Sequence, residues 1–279
     1  MSREARHDTF SATLEPKPAG WGEAYAAVFA EDDVVRSYHL RPPYPDETIA
    51  TLASLAKGGA ILDAGCGTGE LARRLAPSAE RVDAVDVSAA MITDARTLPG
   101  AGRRNLRWLE GRIEDVELEP PYALATAGDS VHWFEWDTAL PRLQSVLGEK
   151  GILAVVHRDW LREDVALERL RPIYARHSWN ADFAPLDPVE ELERRGLFIP
   201  LGTHVSKPAP WTPTLDEIVD CHFSMSGFAR GRLSNAEAFV REVRDAVAET
   251  LEPSDDRYGL DVVATVTWGA PCNALPATP

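Results

Sequence analysis

The chain has 279 residues, 44% hydrophobic and 26% charged, which is enough apolar material for a full buried core and the balance of a globular protein. Its 29 Lys and Arg against 44 Asp and Glu leave a net charge of −15, with no basic stripe or arm, so a nucleic-acid partner is disfavoured. The three cysteines are an odd number without close spacing, which argues against a disulfide framework or a zinc site, and no metal is expected.

Residues 1–20 are polar, carry Pro16, Pro18 and Gly20, and read as a flexible tail without a signal peptide. No run approaches the ~18 apolar residues of a membrane-spanning helix, so no membrane contact is expected and the cytoplasm is the simplest location. Trp21 to Phe29 suggests a short helix. Tyr38-His39-Leu40-Arg41-Pro42-Pro43-Tyr44-Pro45 follows, stiff and extended because proline excludes helix at and before itself. Asp46 is placed to cap a helix from Glu47 to Ala56.

Ala60-Ile61-Leu62 then opens the stretch that organises the chain. An apolar run gives way to Asp63-Ala64-Gly65-Cys66-Gly67-Thr68-Gly69-Glu70, and Leu71, Ala72 and Leu75 repeat at helical spacing. That is strand, tight turn, helix. The glycines let the backbone turn sharply beside a ligand, and the amides opening the helix point at it. A second strand, Arg81 to Val87, ends on Asp86, an acid placed to accept from both hydroxyls of a ribose. These residues imply a nucleoside-containing cofactor at the carboxyl edge of a parallel sheet. They leave its identity open, because Gly67 to Ala72 also fits the dinucleotide spacing G-x-G-x-x-A.

Ser88 is an N-cap for the next helix. The third strand is Asn105 to Glu110, followed by Gly111-Arg112-Ile113-Glu114-Asp115. The fourth is Tyr122 to Ala127, opening into an aromatic loop from Gly128 to Trp136 that holds Asp129, His132 and Glu135. A helix from Asp137 to Leu147 is stopped by Gly148. The fifth strand, Gly151 to Val156, is continuously apolar, as a strand covered on both faces should be, and ends at His157-Arg158-Asp159. Residues 160–196 read as mostly helical, with Val165, Leu167, Leu170, Ile173 and Tyr174 as an apolar face and Pro172 as a kink. Asp187-Pro188-Val189-Glu190 starts a helix, a strand lies near Leu197 to Val205, and capping boxes begin helices at Thr214 and Ser234. The last strand is Asp261 to Trp268, followed by tail.

The run Asp63-x-Gly65-x-Gly67-x-Gly69, with Asp86-x-Ser88-x-x-Met91-Ile92 after it, resembles motif I and its sequel in class I S-adenosylmethionine-dependent methyltransferases. The Tyr38 to Pro45 segment and the His132-Trp133-Phe134 loop are similar to small-molecule members of the trans-aconitate methyltransferase type. The resemblance implies an α/β fold, a doubly wound seven-stranded, mostly parallel sheet with its last strand antiparallel and a helical cap. It implies S-adenosylmethionine as cofactor, held by Asp63, Gly65, Cys66, Gly67, Gly69, Asp86, Val87, Ile113, Glu114 and Ala127. Met91 would pack on the adenine and Arg41 would meet the methionine carboxylate. Arg112 stands where such enzymes often carry an acid near the adenine, so adenine recognition falls to the Ile113 amide with Glu114 or Asp115. Four segments follow: tail 1–20, N-terminal cover and core 21–160, cap 161–250 around strand six, and last strand with tail 251–279. The expected activity is methyl transfer to a small-molecule acceptor of natural-product biosynthesis. The alternatives are an NAD(P)-dependent oxidoreductase, an RNA methyltransferase, disfavoured by the −15 charge and by the lack of an Asn-Pro-Pro-Tyr-like motif after the fourth strand, and a relative that binds the cofactor without transferring methyl. Should the acceptor need a base, His132 leads, His157 follows, His222 in the cap is a third, and Asp129 and Glu135 are weaker. The sequence does not indicate an oligomeric state.

Overall fold

The structure, a computed structural model, describes residues 15–161, 164–183 and 185–272. The predicted tails at 1–14 and 273–279, and the side chain of Val165 in the predicted apolar face, lie outside the described residues.

Among the described residues, three α-helices precede the sheet: α1 (Glu23–Ala26), α2 (Asp32–Tyr38) and α3 (Asp46–Ala56). The sequence reading lacks α2. Two acids in its first turn and Arg36 in its last suit the helix dipole, and its Val34 and Val35 are buried. Asp46 does not cap α3. It lies inside the first turn and pairs with Arg74, while Pro45 occupies the cap position. The alternating core follows: β1 (Ile61–Ala64), α4 (Glu70–Leu75), β2 (Val82–Asp86), α5 (Ala89–Ala95), β3 (Leu106–Glu110), β4 (Tyr122–Gly128), α6 (Trp136–Val146) and β5 (Leu147–Asp159). Ser88 caps α5 as expected, accepting from the Met91 amide at 3.2 Å. Gly148 does not stop a helix. It lies in β5, which starts four residues before the predicted strand because Leu147 already pairs with Tyr122 of β4.

Beyond β5 come α7 (Asp164–His177), α8 (Pro188–Arg194), β6 (Phe198–Val205), β7 (Ala209–Trp211), α9 (Leu215–Cys221), α10 (Ala236–Thr250), the short β8 (Pro253–Ser254) and β9 (Arg257–Tyr258), and β10 (Leu260–Pro271). Pro172 lies within α7. Asp187 caps α8 through the Val189 and Glu190 amides, and Thr214 with Glu217 forms the full capping box of α9. The second predicted box differs, since Asn235 caps α10, not Ser234. The strand β10 runs three residues past its predicted end because Gly269, Ala270 and Pro271 pair with the start of β6.

The sheet order is β3-β2-β1-β4-β5-β10-β6, with β7 pairing the first half of β10. Strands β1 to β5 pair in parallel, and β10 is antiparallel to both its neighbours. This is the doubly wound, mostly parallel sheet of the methyltransferase fold. One core layer buries Leu62, Val85, Trp136, Leu140 and Leu153, and the other buries Leu52, Ile61, Leu75, Leu124 and Val156. A separate cluster of Leu170, Ile173, Ile218, Phe239 and Val243 joins α7, α9 and α10 into the cap. The segment before α1 is not a free tail over residues 15–20. Lys17 donates to the carbonyls of His132 and Phe134 at 2.9 and 2.7 Å, and Arg194 pairs with Glu15 at 2.8 Å.

Candidate active site

The glycine loop is strapped to the second strand. The Gly65 and Cys66 amides both donate to Val85 O, at 2.8 and 2.9 Å. Gly65 has φ +68°, and a Cβ there would sit 2.6 Å from that of Ser130. Gly69 has φ +72° and faces the Trp108 ring, which leaves no room for a side chain. Gly69 therefore shapes the entry to α4 and is not on a cavity wall. Asp63 braces the loop from below. It is 1% exposed, accepts from the Ala72 amide at 3.1 Å and from the Thr126 hydroxyl at 2.7 Å, and burial pushes its carboxyl up to about 6.

Asp86 ends β2 at the floor of a cavity of about 760 Å³. Its two oxygens accept from the Gly67 and Ser88 amides at 2.7 and 2.8 Å. Burial pushes its carboxyl up, and those two amides oppose the shift. The wall above is apolar, with Phe29, Val87, Met91, Ile113 and Trp133. An apolar slot beside a carboxylate with unused lone pairs fits a nucleoside: base against Met91 and Ile113, ribose hydroxyls toward Asp86. Arg112 lines this cavity too, its Nε 3.4 Å from Glu114. The other Glu114 oxygen accepts from the Glu135 amide at 2.7 Å, so this carboxylate ties the aromatic loop. Ala127, expected at the wall, is fully buried in the core instead. The strand's pleat hands the wall to Gly128 and Asp129.

A smaller cavity of about 400 Å³ adjoins the first at Tyr38, Gly65 and Gly128 and is lined by Arg41, Asp63, Cys66, Glu70 and Arg158. Burial pushes the Cys66 thiol well up, so it is a packed residue and not a nucleophile. Arg41 is held by the cap. Its Nε donates to Ser224 Oγ at 2.8 Å, Nη2 to Ser224 O at 2.6 Å, and its guanidinium stacks on Tyr38.

A third cavity, about 920 Å³, lies under the cap and meets the first at Phe29, Asp129 and Trp133. It gathers two of the three candidate histidines. His132 sits between Trp21 and Trp133, with ring centroids 5.6 and 4.3 Å away, and burial pushes its pKa down to about 4. It is neutral at pH 7, so one ring nitrogen keeps a lone pair, while the same burial opposes the charge that proton uptake would bring. His157 has the opposite environment. Its Nδ1 lies 2.9 Å from Asp129 and its Nε2 3.1 Å from Asp159, and the bonds to these two carboxylates push its pKa up to about 10. The two carboxylates favour the imidazolium at pH 7, which has no lone pair to receive a proton, and this counts against His157 as a general base. Burial would raise the Asp129 carboxyl, but the His157 bond, then the His157 and Arg158 charges, outweigh it and hold it below the usual range. His222 does not converge on the site. It is fully buried within the cap, behind Tyr174. Glu135 is exposed at the start of α6 and borders none of these cavities.

His157 gives a pH signature. Its folded pKa lies above the ordinary value of about 6.5, so the stability it adds is complete below that pH and is lost as pH rises toward about 10. Wild type should therefore lose more Tm between pH 7 and 10 than His157→Asn, followed by calorimetry. Parallel curves for the two proteins would refute the assignment of charge.

Sequence reasoning missed the residues joining these cavities. Arg158 is 7% exposed, donates to Pro42 O and to Glu70 at 2.9 Å, and stacks on Tyr44 at 4.2 Å. Glu70 also accepts from the Tyr44 amide at 2.6 Å, and the Tyr44 hydroxyl reaches Asp129 at 3.2 Å. The available signal was an arginine closing an otherwise apolar strand, a charge that burial obliges to find partners.

Residues 61–151 match the model of the methyltransferase domain family. A malonyl-[acyl-carrier protein] O-methyltransferase of Pectobacterium atrosepticum is 39% identical over 110 residues, 39% of this chain and 42% of that one. A candidate S-adenosylmethionine-dependent methyltransferase of Saccharomyces cerevisiae, CRG1, is 23% identical over 154 residues, 52% of each chain. The chain thus spans about half the length of the curated relatives it matches. A candidate type II methyltransferase from Anaeromyxobacter dehalogenans shares the fold, with TM-score 0.61, 24% identity, and 83% of this chain and 99% of that one covered.

Proposed function

We propose that the protein transfers a methyl group from S-adenosylmethionine to a small molecule, an acceptor of the natural-product kind, in the cytoplasm. The observation that carries this reading is the trio of adjoining cavities around Asp86 and the glycine loop. The apolar slot over Asp86 suits a nucleoside. The smaller cavity, lined by Arg41 and Arg158 as well as Asp63 and Glu70, carries charges of both signs and suits a zwitterionic amino-acid end. The aromatic cavity under the cap suits the acceptor. A dinucleotide is a poorer match. Its pyrophosphate would face Asp63 and Glu70 at the start of α4, where the Gly67 and Ala72 amides are already taken by Asp86 and Asp63.

The bound cofactor supplies an already activated sulfonium methyl. The residues of this chain then position, exclude water and, for a hydroxyl or ammonium acceptor, take up a proton. Neutral His132 in the aromatic cavity is the candidate base. Calorimetry with S-adenosylhomocysteine and NADH, together with transfer of labelled methyl to small molecules from a cell extract, tests the reading. S-adenosylhomocysteine is expected to bind at least tenfold more tightly than NADH. Tighter NADH binding would favour the oxidoreductase, and cofactor binding without label transfer would favour a non-transferring relative.

A further inference from the structure

The cap contributes to the lining of the third cavity a residue whose hydroxyl has its hydrogen-bonding direction set from within the cap. Tyr174, on α7, lines that cavity, and its hydroxyl lies 2.7 Å from Nε2 of His222. His222 is fully buried just after α9, with Nδ1 2.7 Å from Ile218 O. A carbonyl can only accept, so Nδ1 carries the ring's hydrogen. Burial pushes the His222 pKa down to about 4, which keeps the ring neutral at pH 7 and leaves a lone pair on Nε2. The Tyr174 hydroxyl must therefore donate its single hydrogen to His222. What its oxygen retains is acceptor lone pairs, and among the described residues no other group donates to it. The Tyr174 ring also packs on Phe228, with centroids 4.9 Å apart.

We propose that Tyr174 is a specificity-determining residue of the acceptor site, accepting a hydrogen bond from a hydroxyl or N–H group on an otherwise aromatic or apolar molecule, with His222 as the positioning residue that fixes its direction. This rests on the third cavity being the acceptor site. Trp133, Trp160, Leu161, Leu167 and Met225 supply the apolar walls. A molecule offering only acceptors would set lone pair against lone pair and leave the Tyr174 oxygen unsatisfied.

The test uses 2-naphthol and 2-methoxynaphthalene, which differ in the donor, with wild type and Tyr174→Phe, by calorimetry with and without S-adenosylhomocysteine. Wild type should bind 2-naphthol at least about fivefold more tightly than its ether. In Tyr174→Phe the two affinities should fall within about twofold, with the ether's nearly unchanged. In parallel, 15N NMR of labelled histidine at pH 7 should show His222 as the neutral tautomer protonated at Nδ1. Equal affinities in wild type, a preference that survives in Tyr174→Phe, no binding of either probe, or an Nε2-protonated or cationic His222 would each overturn the proposal. Failure to bind S-adenosylhomocysteine, with the naphthol preference intact, would instead remove the proposed function and leave the donor preference standing.

Discussion

Asp86→Ala is expected to weaken S-adenosylhomocysteine binding by well over tenfold. In the proposed complex, the substitution removes two hydrogen bonds from the ribose to a carboxylate, each worth about 1.5–3 kcal/mol, and about 1.4 kcal/mol already corresponds to tenfold. It also frees the Gly67 and Ser88 amides, which Asp86 now holds at 2.7 and 2.8 Å, so the loop loses its own tether. Asp86→Asn separates the two effects. The amide keeps one acceptor oxygen for the loop but loses the charge and the second acceptor, so its affinity should lie between those of wild type and Asp86→Ala. Titration calorimetry reads both. Affinity within twofold of wild type for Asp86→Ala would show that the carboxylate touches no ligand and only holds the loop.

How much of this was legible in sequence divides along a physical line. Strands β1 to β5 and the glycine turn were visible because local chemistry specifies them: apolar runs, glycines needing left-handed backbone, and Ser88 and Asp187 at helix starts. Asp86 was placed for the same reason, since the end of a strand beside a glycine turn is a local feature. What failed were inferences about environment. His157 looked like a base from residue type and position. Its charge is decided by Asp129, which takes φ +50° and comes within 2.9 Å from another strand end. His222 looked like a site residue until the cap helices folded it behind Tyr174. Ala127 was one pleat away from where a motif would put it. The helix α2 was missed because only its burial against the cap, not a strong periodic pattern, defines its seven residues. Short β7, β8 and β9 carry too few residues to show an alternation.

The largest stability effect should come from Arg158→Met. The guanidinium closes β5, the proline-rich cover, the start of α4 and the Asp129 turn into one buried cluster. Methionine fills much of the volume, so the loss is one of charge pairing more than of packing. It leaves Glu70 without its 2.9 Å partner, Asp129 short of one cation, and the Pro42 carbonyl without a donor. Breaking a buried pair from one side typically costs about 3–5 kcal/mol. For a chain of this size, that corresponds to a fall in Tm of roughly 10 °C. Arg158→Lys keeps the charge but not the fork that reaches Glu70 and Pro42 together, and should recover only part of the loss. Adding Glu70→Gln to Arg158→Met removes the stranded carboxylate and should restore some of the stability, which simple packing damage would not allow. A Tm within about 2 °C of wild type for Arg158→Met would show that water reaches the cluster and that the cover does not depend on this arginine. No recovery in the double variant would mean that the guanidinium acts by stacking on Tyr44 rather than by pairing with Glu70.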